Sequence, residues 1–281
     1  EDHPQFGCAL PLSAIMQDLQ LARDMGANSI RTSHYPNDEL FLDLCDELGI
    51  LVWEENHARG LSEENMRNPN FEPQAEKGIR EMIAAHYNHP SIYIWGILNE
   101  CASDTAYGRE CYKTQLELIK SLDVTRPRSF SSCRFKTDIC FDLVDVVSYN
   151  IYPKWYHNTP VAMYLDDLYK WVQTTGGAGK PFLITEVGAG AIYGYRTPAK
   201  VKWSEEYQVL ALEEQLGAIL SYKDCSGVYI WQFCDVRVTN DWWNTRPRTM
   251  NNKGIVDEYR RPKLSYETVK RIFGSVDTYR K

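Results

Sequence analysis

Ser91-Ile92-Tyr93-Ile94-Trp95-Gly96-Ile97-Leu98-Asn99-Glu100 is an apolar run that ends in a carboxylate. β-Branched and aromatic residues dominate it without polar alternation, which marks a strand covered on both faces, as in a parallel sheet. A second run, Pro181-Phe182-Leu183-Ile184-Thr185-Glu186, has the same form and the same ending. Five further runs occupy 28–32, 50–54, 128–132, 144–150 and 227–233. Between them lie stretches of helical period that open near Ser13, Asn37, Pro73, Thr105, Asp138 (a short one), Val161, Ser204 and Leu264. This alternation is the signature of parallel βα units. Ser13 and Ser204 have the right chemistry to open their helices, and Gly26 and Gly49 to end the first two.

Seven strands and eight helices, beginning with a loop that feeds a helix, is the count of an α/β chain folded as a (β/α)8 TIM barrel without its first strand. The expectation is one barrel domain over residues 1–281, clipped just past strand one, with Glu1 to His3 at the rim. An open α/β sheet is the alternative. A length of 281 residues is ordinary for a single α/β barrel. The hydrophobic fraction of 43% and charged fraction of 25% describe a soluble chain with ample core. A net charge of −7 and a pI near 5.5 argue against nucleic acid or an anionic membrane as partner. Eight cysteines without CxxC spacing point to a reduced, cytoplasmic compartment and away from zinc.

Polar and aromatic clusters follow the strands: Arg31-Thr32-Ser33-His34, Glu54-Glu55-Asn56-His57, Asn99-Glu100, Asn150 to Tyr156, Glu186, and Trp231 to Asp235. In a parallel barrel the C-terminal strand ends share one rim, where active sites are built. Two carboxylates there suit glycosidic bond cleavage, one as proton donor and one as nucleophile or base. Tyr152, Tyr156 and Trp231 offer flat faces for sugar C–H surfaces, and Asn99 can bond a ring hydroxyl. His3, His34 and His57 lack metal spacing and read as orienting hydrogen-bond partners, so no metal or cofactor is expected.

The segments 28–36, 88–91 (Asn-His-Pro-Ser), 95–100, 184–186 and 252–254 (Asn-Lys-Gly) resemble glycoside hydrolase family 2, most closely its β-glucuronidases, especially those of gut bacteria. The similarity runs in order along essentially the whole chain. It implies a catalytic barrel preceded by a jelly roll and an immunoglobulin-like sandwich, with Asp2 completing a His-Glu-Asp rim motif that contacts substrate. It further implies that Glu100 is the acid/base and Glu186 the nucleophile of a retaining mechanism. Tyr152 would then bond the nucleophile, Asn99 and Trp231 the sugar, and Asn251 and Lys253 the C6 carboxylate of a β-D-glucuronide. Arg248 is an additional carboxylate partner, although its spacing to Lys253 is one residue shorter than in those glucuronidases.

The family's β-galactosidases bind Mg²⁺ through a Glu and a His where this chain has Ala58 and Gly60, which counts against that activity. A β-galacturonidase stays open because it needs the same carboxylate clamp, and Arg237 and Arg246 near this rim keep it so. A non-catalytic carbohydrate-binding barrel is the alternative from outside the enzymes. Family 2 enzymes are often dimers or tetramers, so a homo-oligomer is expected.

Overall fold

The computed structural model describes residues 3–240 and 245–276. Asp2, Trp242 and Trp243 lie outside the described residues. Seven strands follow one another: β1 (Ser29–Arg31), β2 (Leu51–Glu55), β3 (Ile92–Ile97), β4 (Arg128–Ser132), β5 (Val147–Asn150), β6 (Phe182–Val187) and β7 (Gly227–Ile230). Each pairs in parallel with the next, so the strands lie in the sheet in their sequence order, β1 to β7. Representative registers are Ile30 opposite Val52, Trp53 opposite Ile94, Ile97 opposite Phe130 and Tyr149 opposite Ile184.

The helices are α1 (Leu12–Asp24), α2 (Glu39–Leu48), α3 (Glu63–Met66), α4 (Phe71–His86), α5 (Ala106–Leu122), α6 (Val161–Val172), α7 (Glu205–Ser221) and α8 (Leu264–Gly274). They wrap the sheet, and a continuous core runs between, from Leu19 and Leu42 through Trp95 and Tyr149 to Leu216 and Val269. A smaller cluster of Trp53, Ile94, Val146 and Leu183 fills the interior. Parallel strands are buried on both faces, which is why they read as unbroken apolar runs.

Capping fixes several of the helix ends. Asp38 accepts from Leu40 N at 2.8 Å and starts α2, which Gly49 ends in the left-handed region at φ 68°. The Ser204 hydroxyl accepts from Tyr207 N at 3.2 Å to start α7. Ser13 does not open α1: Pro11 stands at that helix entry, its carbonyl accepting from Ala14 N at 2.9 Å. Asp38, not Asn37, caps α2, and α4 begins at Phe71 ahead of Pro73. The short helix expected near Asp138 is a 3₁₀ turn at Phe141–Leu143. Asp138 is instead buried, accepting from Ser132 Oγ at 2.5 Å and Cys140 N at 2.8 Å. A short antiparallel pair, β8 (Val236–Arg237) with β9 (Met250–Asn251), extends the chain beyond β7.

Gly96 is required by close approach. A Cβ there would lie 2.2 Å from Trp53 Nε1 and 2.7 Å from Glu55 Cβ, so the glycine makes room for both inward side chains. β1 and β7 are not paired, although Ser29 Oγ and Tyr229 OH meet at 2.7 Å. A cavity of about 320 Å³, lined by Ile15, Ile30, Val228, Ile230 and Phe273 among others, separates them. That gap has the place of one further strand in a (β/α)8 barrel, so the described residues form a TIM barrel without its first strand. Among the described residues no helix is long and apolar enough to cross a membrane.

Candidate active site

The end of β3 leaves regular geometry at the residues that carry chemistry. Leu98 and Glu100 take positive φ, 38° and 54°, a region costing about 1–3 kcal/mol for each non-glycine residue. Backbone bonds hold the distortion: Asn99 N donates to Ala58 O at 2.9 Å and Glu100 N to Ser131 O at 2.8 Å. Tyr112 OH adds a bond to Leu98 O at 3.1 Å. Asn150, ending β5, donates through Nδ2 to Glu100 Oε1 at 2.9 Å and to Asn99 Oδ1 at 3.0 Å. The Thr185 hydroxyl donates to Asn150 Oδ1 at 2.8 Å, which orients that amide.

Glu186, on β6, is buried and held at both oxygens. Tyr152 OH donates to Oε2 at 2.6 Å, and Arg31 Nη1 to Oε1 at 3.2 Å. Arg31 ends β1 and is itself clamped by Glu55, with Nε to Oε2 at 2.8 Å and Nη2 to Oε1 at 3.0 Å. Its Nη2 also reaches Asn99 Oδ1 at 2.9 Å, so Arg31 and Asn150 link the two glutamates through Asn99. His34 Nδ1 lies 2.8 Å from Glu55 Oε1, and its ring stacks on Trp231 with centroids 5.1 Å apart.

The electrostatics follow from this packing. Burial pushes the Glu55 carboxyl up, but Arg31 and then His34 outweigh it and hold it at about 2. Burial also pushes Glu186 up. Arg31 and His34 oppose that and the Glu100 charge adds to it, leaving the carboxyl above its ordinary value. The Tyr152 phenol is driven far up by burial and by the Glu186 charge, so it stays a donor.

Beside this pair stands a buried cation with no ion-paired carboxylate among the described residues. Lys253 is 2% exposed. Its Nζ donates to Tyr156 OH at 3.1 Å and lies 5.3 Å, 5.4 Å and 5.1 Å from the ring centres of Tyr152, Trp155 and Tyr156. Among the described residues no carboxylate forms an ion pair with it. Burial lowers its pKa, and Tyr156 counters this only in part. Arg246 Nη2 donates to the same phenol oxygen at 3.3 Å. Partial burial raises the Tyr156 phenol, yet Lys253 and Arg246 bring it down overall.

The residues singled out from sequence therefore converge unevenly. Glu100, Glu186, Asn99, Tyr152, Tyr156, Trp231 and Lys253 share the rim. Asn251 lies on β9 with Oδ1 turned to Lys253 N at 3.4 Å, supporting the loop that carries the lysine. Arg248 is engaged by Glu258, Nη2 to Oε1 at 2.6 Å, and the cation that shares Tyr156 with Lys253 is Arg246. Arg31, Glu55 and Asn150 were not singled out as site residues. All three stand at strand C-termini, so the rule that found Glu100 and Glu186 points to them as well. Ala58 and Gly60 offer no side-chain donor for a metal.

The family model described as glycosyl hydrolases family 2, TIM barrel domain, matches residues 1–278. The chain belongs to that family. Rat β-glucuronidase is 33% identical over 278 residues, covering 94% of this chain and 41% of its own length. Streptococcus agalactiae β-glucuronidase is 30% identical over 296 residues, covering 97% of this chain and 48% of its own length. Among solved structures, a family 2 β-galacturonidase from Eisenbergiella tayi bound to galacturonate is 76% identical with a TM-score of 0.98. The match covers 99% of this chain and 50% of that one. The β-D-glucuronidase of Dictyoglomus thermophilum is 30% identical with a TM-score of 0.90, covering 99% of this chain and 50% of its own. The chain thus spans about half the length of these family 2 relatives.

Proposed function

We propose that this family 2 barrel carries the catalytic centre of a retaining exo-β-uronidase, with β-D-galacturonides as preferred substrates. The observation that carries the reading is Lys253, a buried ammonium with no ion-paired carboxylate among the described residues, set in the same rim as Glu186. An unpaired buried charge is costly unless a ligand supplies the opposite one. A uronate C6 carboxylate does so, with Arg246 beside Tyr156 as a second cation. β-D-Glucuronides are the second reading, favoured by the curated relatives. Identity of 76% to a galacturonidase against about 30% to glucuronidases supports galacturonides as the first reading.

In the mechanism, Glu186 attacks C1 while Glu100 gives its proton to the leaving oxygen. Water then attacks C1 of the glycosyl ester, Glu100 takes its proton and Glu186 leaves. Arg31 and Tyr152 hold the nucleophile's two oxygens, so it needs no reorientation between steps. Asn150 aims at Glu100. Trp231 offers a ring face for the sugar and Asn99 its free amide end. The barrel would work inside a longer enzyme, with the family's upstream domains closing over the aglycone and contributing to assembly.

Nitrophenyl β-galacturonide, β-glucuronide and β-galactoside, offered to the full-length protein, test the substrate order. Galacturonide is expected to turn over fastest and the neutral galactoside slowest; equal turnover of uronides and galactoside overturns the uronate reading. A 2-fluoro-uronide inactivator followed by peptide mass spectrometry is expected to label Glu186, and a label on another residue overturns the roles.

A further inference from the structure

The Lys253 loop is anchored by an ion pair closed off from solvent. Lys263, the residue before α8, is wholly buried with Asp235, their Nζ and Oδ1 2.7 Å apart. The same Nζ donates to Ala191 O at 2.7 Å and to Asn252 O at 3.1 Å. Asp235 Oδ1 also accepts from Gly254 N at 2.8 Å. One ammonium therefore joins three segments: the exit from β6 (Ala191), the exit from β7 (Asp235) and the residue before Lys253 (Asn252). The exit from β6 follows directly from the nucleophile Glu186.

Other bonds run the same way. Ala191 N donates to Asn252 O at 2.8 Å, and Gln208 Nε2 bonds both Ala189 O at 2.9 Å and Gly254 O at 3.0 Å. The loop packs closely at Gly254, where a Cβ would stand 2.3 Å from Asp235 N and from Val256 O. The side chains of this set, Lys263, Asp235 and Gln208, are all buried, and together they fix where the Lys253 backbone sits relative to β6.

We infer that Lys263, with Asp235, is a positioning residue for uronate recognition, setting the span between the Lys253 ammonium and the Glu186 carboxylate. This rests on the uronate reading above and deepens it. A uronide is held at two ends, C1 at the nucleophile and C6 at the cation, so the span between them governs reaction with this substrate class. Burial explains why Lys and Asp serve here: it lowers the lysine pKa and raises that of Asp235 to about 7, so each needs the other to stay charged.

The test is a double-mutant cycle in the full-length protein, read as kcat/KM on a fluorogenic uronide, with Lys263→Met, Lys253→Met and both together. Lys263→Met is expected to cost on the order of 10²-fold in the wild-type background, as misplacement of a binding group by about 1 Å does. In the Lys253→Met background the same change is expected to cost less than about threefold, because the group it positions has gone. A residue that merely supported the fold would cost the same in both backgrounds, and that result, or no cost in either, overturns the inference. If Lys263→Met does not fold, Lys263→Met/Asp235→Asn removes both charges without stranding the carboxylate, and the same cycle is run on it with the same expectations. Failure of the uronate reading is seen separately, as a wild-type enzyme that does not prefer uronides over the galactoside.

Discussion

Replacing Lys253 by methionine should separate recognition from stability in opposite directions. The side chain keeps its length and apolar stem, which packs among Tyr152, Trp155 and Tyr156, and loses only the ammonium. Of its three N–H donors one serves Tyr156 OH, leaving two for a substrate carboxylate. Each charge-assisted bond contributes about 1.5–3 kcal/mol. Two at the low end amount to about 3 kcal/mol, a loss on the order of 10²-fold in kcat/KM for the uronide. Activity on a neutral glycoside should change little, since the group it lacks is the one Lys253 is proposed to bind. The ligand-free fold should hold its Tm or gain, because a buried ammonium is replaced by an apolar residue of similar volume. Steady-state kinetics on both substrates and a thermal melt make the assay. Uronide kcat/KM within about threefold of wild type would refute the reasoning, as would a falling Tm with substrate preference intact.

Tyr152→Phe removes the donor on Glu186 Oε2, one of the contacts that hold this carboxyl down, so the acid limb of the kcat/KM profile should move to higher pH; a limb that stays in place counts against the contact. Glu55, held at about 2, is lowered by folding, so its contribution is present above the ordinary carboxylate range and lost as pH falls toward about 2. Acid unfolding followed by circular dichroism should therefore be shallower for Glu55→Gln over that window than for wild type. Gly96→Ala places a Cβ 2.2 Å from Trp53 Nε1 and should cost about 1–3 kcal/mol by overpacking. A melt with wild-type Tm would contradict the close approach.

What the sequence disclosed and what it withheld divide along physical lines. Parallel strands covered on both faces are read locally, which is why 91–100 and 181–186 announce both strand and terminal carboxylate. The strand expected at 28–32 is regular only over Ser29–Arg31, although Asn28 O and Thr32 N still bond Leu51 N and Trp53 O on β2, each at 3.0 Å. Long-range partnerships have no local trace: Arg31 meets Glu186 from 155 positions away, and Lys253 meets Tyr156 from 97. Arg248 and Arg246 are indistinguishable as letters. Only the turn at 247–249, where Arg248 takes φ 63°, places one against Glu258 and the other against Tyr156.

The proposed assignment of acid and nucleophile also has a physical basis in the asymmetry of the two glutamates. The Glu186 carboxylate receives a cation on one oxygen and a phenol on the other, a setting that favours its charged form against a burial that opposes it. Glu100 receives the neutral Asn150 amide, and among the described residues no cation forms an ion pair with it. Charge on each repels the other, which is part of why Glu186 lies above its ordinary value. In the proposed mechanism, forming the glycosyl ester abolishes the charge on Glu186 and ends that repulsion, at the moment when Glu100 accepts a proton from water. Arg31 then remains paired with Glu55, so the site is not left with a stranded cation while the ester persists. On the proposed mechanism the Glu55 clamp is thus the part of the rim that would let one buried carboxylate gain and lose its charge within each turnover.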